Sequence, residues 1–140
     1  MKYIILVLCT ITLVACGSSV NTKPQSELGY NGKATGVFGF KSTQELLANL
    51  KSDPENIIRT VQGDYGAWII VNHRSEYSLW SFTPEEHPAH PSVVKRTPVE
   101  KNGNIFIQTE ASCNSKKEVC DQLIKSFIEL NNKTRDSFGA

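Results

Sequence analysis

The residues from 57 to 82 read IIRTVQGDYGAWIIVNHRSEYSLWSF, and they contain three short runs rich in β-branched and aromatic side chains. Such side chains favour the pleated, half-buried surface of a sheet. We therefore predict strands over Ile57–Val61, Ala67–His73 and Tyr77–Phe82. The connections between the runs are Gly63-Asp64-Tyr65-Gly66 and Arg74-Ser75-Glu76. Connections this short favour antiparallel pairing of neighbouring strands.

Two further strands are predicted downstream of this stretch. The segment from residue 83 to 91 contains three prolines, which lack a backbone donor and exclude a regular ladder there. Ser92–Glu100 resumes an extended pattern, and Pro98 marks it as an edge or bulged strand. Asn102-Gly103 is typical of a tight hairpin turn, after which Ile105–Thr109 is predicted to return as the fifth strand.

A helix is predicted on either side of the strands. Ser42 and Glu45 have capping-box spacing before a short helix of about Thr43–Lys51, which Asp53-Pro54 ends. Ser115 and Glu118 have the same spacing before a long amphipathic helix. The residues of this second helix that we expect to be buried are Val119, Cys120, Leu123, Ile124, Phe127, Ile128 and Leu130. The predicted fold class is therefore α+β: an antiparallel meander of about five strands, with both helices packed on it.

The N-terminal residues have the pattern of a secretory signal. Lys2 precedes an apolar run from Ile4 to Val14, which is shorter than the roughly 20 residues that a membrane span needs. The run ends in Leu13-Val14-Ala15-Cys16, which resembles the bacterial lipobox. The resemblance implies that Cys16 is linked to diacylglycerol and becomes the acylated N-terminus after cleavage. The competing interpretation is an ordinary signal cut after Ala15, which would leave Cys16 as a free thiol.

The lipobox resemblance also implies a location and a division of the chain. Gly17, rather than Asp, follows Cys16, as in lipoproteins exported to the outer membrane, so we expect the protein to face the periplasm if the organism is Gram-negative. Residues 1–15 are the predicted signal peptide and residues 16–36 the lipidated, flexible tether. Residues 37–140 are the predicted single α+β domain.

Charge and cysteine content narrow the function classes. The chain has 15 basic and 14 acidic residues, and removal of Lys2 with the signal makes the two equal, so no nucleic-acid partner is expected. Of the four cysteines, Cys9 leaves with the signal and Cys16 carries the lipid. Cys113 and Cys120 remain and are predicted to form a disulfide, since their spacing does not match a redox pair.

The proline-rich segment contains the densest cluster of polar groups. Glu85, Glu86, His87 and His90 could together ligate zinc, but their spacing matches no metal motif, so we predict neither a metal nor another cofactor. The sequence also lacks a recognisable nucleophile motif, which favours a noncatalytic protein.

We interpret the same segment as a rigid recognition loop. Pro84, Pro88 and Pro91 each fix a backbone dihedral, and a stiff loop loses little entropy when it docks. The candidate recognition residues are Trp80, Phe82, His87, His90, Lys95 and Arg96. Packing in the core is the competing interpretation for the two aromatic residues. This stretch resembles small proteobacterial envelope proteins without a defined activity, so the resemblance implies no reaction.

The function expected from these features is a noncatalytic protein-binding or envelope-assembly module, anchored to the membrane by lipid and facing an envelope protein partner. One alternative is a periplasmic inhibitor of a hydrolase, similar to lipid-anchored lysozyme inhibitors, although those are mostly β. The other is a small metal-binding hydrolase that uses His87 and His90.

The lipobox predicts a clear effect of Cys16→Ala. This variant should lose palmitate labelling and remain unprocessed or be released from membranes, because without the cysteine thiol no thioether can form at position 16. Cys9→Ala is the matched control and should be labelled and fractionated like the wild type. Unchanged labelling of Cys16→Ala would refute the assignment.

Overall fold

Five strands pair in sequential order as one antiparallel sheet in the computed structural model, which describes residues 36–138. The strands are β1 (Ile57–Gly63), β2 (Gly66–His73), β3 (Ser78–Phe82), β4 (Ser92–Lys101) and β5 (Asn104–Cys113). Helix α1 (Thr43–Ser52) precedes the sheet and helix α2 (Lys117–Phe138) follows it. The predicted α+β meander is therefore confirmed. The predicted signal peptide and Cys16 lie outside the described residues, and so does the predicted tether up to residue 35.

The two helices cover opposite faces of the sheet. Val93 and Val94 are neighbours in β4, so their side chains point to opposite faces, and both are fully buried. Val93 belongs to a core with Leu46 and Leu50 of α1, whereas Val94 belongs to a core with residues of α2. The domain therefore has three layers, with β3 and the first half of β4 at its centre. Within residues 36–138, no helix is long and apolar enough to cross a membrane.

The first capping box forms as the sequence predicts. The Glu45 backbone N–H donates to the Ser42 hydroxyl at 3.1 Å, and the Glu45 carboxylate accepts from the Lys41 backbone N–H at 2.8 Å. Leu46 and Leu50 lie one turn apart on the buried face of α1.

The second predicted capping box was wrong. The Ser115 hydroxyl donates instead to the Pro88 carbonyl at 3.2 Å, and the N–H groups of Val119 and Cys120 donate to the Lys116 carbonyl. Ser115 therefore connects the start of α2 to the proline-rich loop, and Lys116 begins the helical hydrogen bonding. Because α2 begins at Lys117, Lys116 occupies the cap position and Ser115 lies one residue too early to cap the helix.

The predicted buried stripe of α2 is correct except at its end. Cys120, Leu123, Ile124 and Phe127 are buried, and Val119 and Ile128 are half-buried. Leu130, in contrast, is 44 % exposed. Leu130 lies instead at the margin of an open groove beside Val61 of β1.

The β4–β5 hairpin is longer than predicted. Asn102 and Gly103 have φ values of 54° and 74° and form a two-residue turn between the paired residues Lys101 and Asn104. These left-handed conformations are the ones that favour Asn-Gly in such turns. From there β5 stays paired to β4 through Cys113, well past the predicted end at Thr109.

The predicted disulfide is present. Cys113 ends β5 and Cys120 lies near the start of α2, and their Cα atoms are 5.8 Å apart. The bond joins the last strand to the helix that follows, and Cys120 is fully buried. It therefore holds α2 against the sheet on the side of Val94.

We expect loss of this disulfide to lower the free energy of unfolding by about 2.5 kcal/mol, the loop-closure value for a loop this short. The measurement is urea unfolding of the wild type with and without dithiothreitol. The double variant Cys113→Ala, Cys120→Ala is the control, and reductant should not change its midpoint. A wild-type midpoint that does not respond to complete reduction would contradict the prediction.

Candidate functional site

Hydrogen bonds between Thr83 and Ser92 close the base of the proline-rich loop between β3 and β4. The Thr83 N–H donates to the Ser92 carbonyl at 3.1 Å, and the Ser92 N–H donates to the Thr83 hydroxyl oxygen at 3.0 Å. The Ser92 hydroxyl donates in turn to the Ala89 carbonyl. Both residues are buried, so these bonds are shielded from competing water.

Inside the loop, backbone turns replace the missing ladder. The His87 N–H donates to the Pro84 carbonyl at 3.1 Å, and the His90 N–H donates to the His87 carbonyl at 2.8 Å. Ala89 is fully buried and belongs to the same core as Val94. The loop therefore has internal hydrogen bonds, and the buried Ala89 side chain packs it against the core of the domain. Together these contacts make the loop rigid.

His87 is a structural member of this loop. Its Nδ1 accepts the Ala89 N–H at 3.0 Å, which places the imidazole proton on Nε2. The ring packs edge-on against Tyr65 and Trp68, with centroids 4.9 and 5.2 Å away. Burial, and then the nearby His90, lower the pKa of His87 below its ordinary value of 6.5. The fold therefore favours the neutral ring.

His90 lies on the other side of the loop and is exposed. Its Nδ1 lies 3.0 Å from the Thr83 carbonyl oxygen, which fits an Nδ1–H that donates to that carbonyl. The ring faces a cleft between the loop and the N-terminal turn of α1. His87 and His90 are therefore oriented apart, each through its own backbone partner.

The cleft beside His90 has a volume of about 490 Å³. Its apolar floor consists of Leu47, Ile69 and Phe82, and the exposed residues Glu85 and Glu86 lie at its rim. Tyr65, which is half-exposed at the β1–β2 turn, forms another wall. The remaining lining residues are Thr43, Gln44, Gly66, Ala67, Thr83, Pro84, His90 and Pro91.

The structure distributes the six predicted recognition residues over different places. Trp80 and Phe82 are only 4 % and 3 % exposed, so the expectation that they present aromatic area at the surface was wrong. They are core residues, as the competing interpretation had it, although Phe82 also contributes to the cleft floor. His90 lines the cleft and His87 braces the loop behind it.

Lys95 and Arg96 point to opposite faces of β4. Lys95 donates to the Glu76 carboxylate at 2.7 Å and lies over the Trp80 ring, and this hydrogen bond is the main cause of a lowered Glu76 pKa. Arg96 lies over the Phe127 ring and donates to the Asn131 side chain at 3.3 Å. Burial lowers the Arg96 pKa. Neither residue lines the cleft, so the sequence-based set does not form one surface.

Sequence reasoning missed the α1 side of the cleft. Thr43, Gln44 and Leu47 lie in α1, and three strands separate them from the loop along the chain. No local pattern in the sequence brings the two segments together. The sequence did contain an indication for Tyr65. An aromatic residue in the turn between two strands is seldom buried in the core and is therefore available for binding. The positive φ of Tyr65, 67°, places it at the tip of that turn.

The remaining titratable groups of the described residues include one local chain of hydrogen-bonding side chains. Within residues 36–138, no three His, Cys, Asp or Glu side chains are placed to hold a metal ion together. Ser75, His73 and Glu76 do form a local chain, with Ser75 Oγ 3.1 Å from His73 Nε2 and Glu76 Oε2 3.5 Å from His73 Nδ1. These three lie in and beside the β2–β3 turn, and neither the cleft nor the groove under α2 includes them.

No protein-family model matches the chain, and no curated protein or solved structure is detectably similar to it.

The lowered His87 pKa predicts a pH-dependent stability. As the pH falls below 6.5, the unfolded chain takes up a proton at His87 that the folded chain resists, so the free energy of unfolding should fall until the folded pKa is reached. His87→Phe keeps the ring contacts but cannot titrate, so its stability should depend less on pH in this window. His73→Asn is the control and should retain the His87 contribution. Identical pH dependence of the wild type and His87→Phe would contradict the assignment.

Proposed function

We propose that the chain is a lipid-anchored periplasmic protein whose domain binds an envelope protein partner and catalyses no reaction. The observation that carries the proposal is the braced loop from Thr83 to Ser92 beside an open cleft of about 490 Å³. Cys16 would supply the lipid anchor, and the tether before residue 37 would let the domain reach its partner.

The cleft fits a positively charged segment of a partner. Its rim carries Glu85 and Glu86, and none of its described lining residues is a lysine or an arginine. A partner's lysine or arginine could lay its aliphatic stem on Leu47 and Phe82 while its charge meets the carboxylates. Tyr65 also lines the cleft, and a tyrosine ring can attract a cation that lies over its face.

Rigidity of the loop supports binding in a second way. The backbone N–H groups of Thr83, His87 and Ser92 already have acceptors within the loop or its base, so the free protein is close to a single loop conformation. Docking then costs little additional conformational entropy. A long proline-rich loop without such bracing would lose much of its binding energy to ordering.

The Ser75–His73–Glu76 chain is the observation closest to an enzymatic alternative. A serine nucleophile also needs oxyanion donors and a pocket for its substrate. Glu76 is engaged by Lys95 at 2.7 Å, and Ser75 lies at an exposed turn. We therefore expect no covalent labelling of the purified protein by a fluorophosphonate probe. Labelling that disappears in Ser75→Ala would overturn the noncatalytic proposal.

The inhibitor alternative uses the same rigid loop. A pre-organised loop is suited to binding in the active site of a hydrolase, because it is already rigid and loses little conformational entropy there. The two proposals differ in one readout. An inhibitor lowers the rate of a purified peptidoglycan hydrolase in proportion to occupancy, whereas an accessory module binds its partner without that effect.

Photo-crosslinking in cells identifies the partner. A photoreactive amino acid at Gln44, inside the cleft, should crosslink to one envelope protein that the same probe at Thr60, on the exposed strand β1, does not capture. A Gln44 probe that yields no product beyond those of the Thr60 control would count against the cleft as the binding site.

Charge reversal tests the chemistry of the contact. Glu85→Lys with Glu86→Lys should weaken binding of the identified partner about tenfold or more, since about 1.4 kcal/mol of lost attraction has that effect. Glu55→Lys with Glu118→Lys changes the net charge equally at exposed positions outside the cleft and is the matched control. Equal affinities of the two double variants would contradict a charge-dependent cleft.

A further inference from the structure

The β4–β5 hairpin projects beyond the rest of the sheet. Strand β3 pairs with β4 only as far as Leu79 opposite Arg96, whereas the pairing of β4 with β5 continues to Lys101 opposite Asn104. Residues 97–108 therefore form a two-stranded extension, and none of the residues 36–138 forms a third strand beside it. We refer to these residues as the hairpin arm.

The hairpin arm exposes large apolar side chains on both of its faces. Ile105 and Ile107 are 74 % and 44 % exposed on one face, and Phe106 is 52 % exposed on the other. Successive strand residues alternate between faces, so a helix docked on one face would leave the other uncovered. A strand added in the plane of the sheet would bring side chains to both faces at once.

Only one edge of the hairpin arm is suited to receiving a strand. The closing pair of a two-residue turn, Lys101 and Asn104, is hydrogen-bonded, and the pair types alternate from there. The backbone of Pro98 therefore points away from β5, toward the edge that β3 no longer covers. Because proline has no N–H, this edge of β4 lacks a donor for an added strand. On the opposite edge, Ile105 and Ile107 direct their N–H and C=O groups away from β4. The outer edge of β5 is thus free to pair.

We propose that this edge binds the same edge of a second copy of the chain. The two β5 strands would run antiparallel about a twofold axis at Phe106, with Ile105 of one chain opposite Ile107 of the second copy. The outward backbone groups of both isoleucines would then form hydrogen bonds across the axis. The two Phe106 side chains would meet on one face and the four isoleucines on the other.

The charge pattern favours a second copy as the occupant. The five paired residues, Asn104 to Gln108, contain no ionisable side chain, so pairing with an identical segment brings no like charges together. Self-pairing also matches apolar residues with apolar residues at each central position. An uncharged, proline-free edge of this kind is one that proteins seldom leave uncovered.

The proposed dimer leaves the cleft free. The loop from Thr83 to Ser92 lies at the start of β4 and the hairpin arm at its end, so the two surfaces are at opposite ends of the same strand. Self-association through β5 therefore stands independently of the binding function proposed for the cleft.

Cysteine crosslinking tests the register directly. In Phe106→Cys the two introduced thiols would face each other across the twofold axis at a non-hydrogen-bonded pair, where Cα atoms are about 4.5 Å apart and a disulfide can form. In Gln108→Cys, on the same face and strand, each thiol would lie opposite Asn104 of the second copy. The full chain is studied in detergent under mild oxidation.

We expect Phe106→Cys to run mainly as a reducible dimer, and Gln108→Cys and the wild type as monomers, on non-reducing gels. Sedimentation of the unoxidised wild type should give twice the chain mass, and Phe106→Glu, which places two like charges at the axis, should give the monomer mass. A monomeric wild type, equal crosslinking at positions 106 and 108, or a hairpin arm occupied by a different protein would each overturn the proposal.

Discussion

The full burial of two consecutive residues, Val93 and Val94, on opposite faces of β4 is the constraint on which the architecture depends. A strand buried on both faces needs a layer above and a layer below it. Helix α1 provides one layer through Leu46 and Leu50, and α2 provides the other, with the Cys113–Cys120 disulfide holding its first turns in place.

Uneven cover by these two helices produces the surfaces that are available for binding. Helix α1 has 10 residues and α2 has 22, and neither covers a five-stranded sheet alone. The cleft beside Glu85 and Glu86 lies where the start of α1 leaves part of the sheet uncovered. The hairpin arm lies beyond the end of β3. Because Ala89 plugs the loop into the α2-side core, the loop and the core on that face stabilise each other.

Periodicity and turn chemistry predicted most of the fold, because strand alternation, the Ser42 cap and the Asn102-Gly103 turn are local effects. The errors occurred where the outcome depends on tertiary packing: α2 begins at Lys117, one residue too late for Ser115 to cap it, and Leu130 stays exposed beside Val61. The candidate site was predicted only in part. Proline content indicated a stiff loop, but the contribution of α1 to the cleft depends on tertiary packing, which sequence spacing does not encode.

The most direct test of a pre-organised recognition loop is amide hydrogen exchange of the free protein, resolved by residue. The amides concerned are those of Thr83, His87, Ala89, His90 and Ser92, each of which has an acceptor in the structure. We predict that they exchange as slowly as amides in the paired centre of β3 and β4. Exchange at the rate of an unstructured peptide, with β3 and β4 still protected, would contradict a rigid loop and with it the proposed basis of binding.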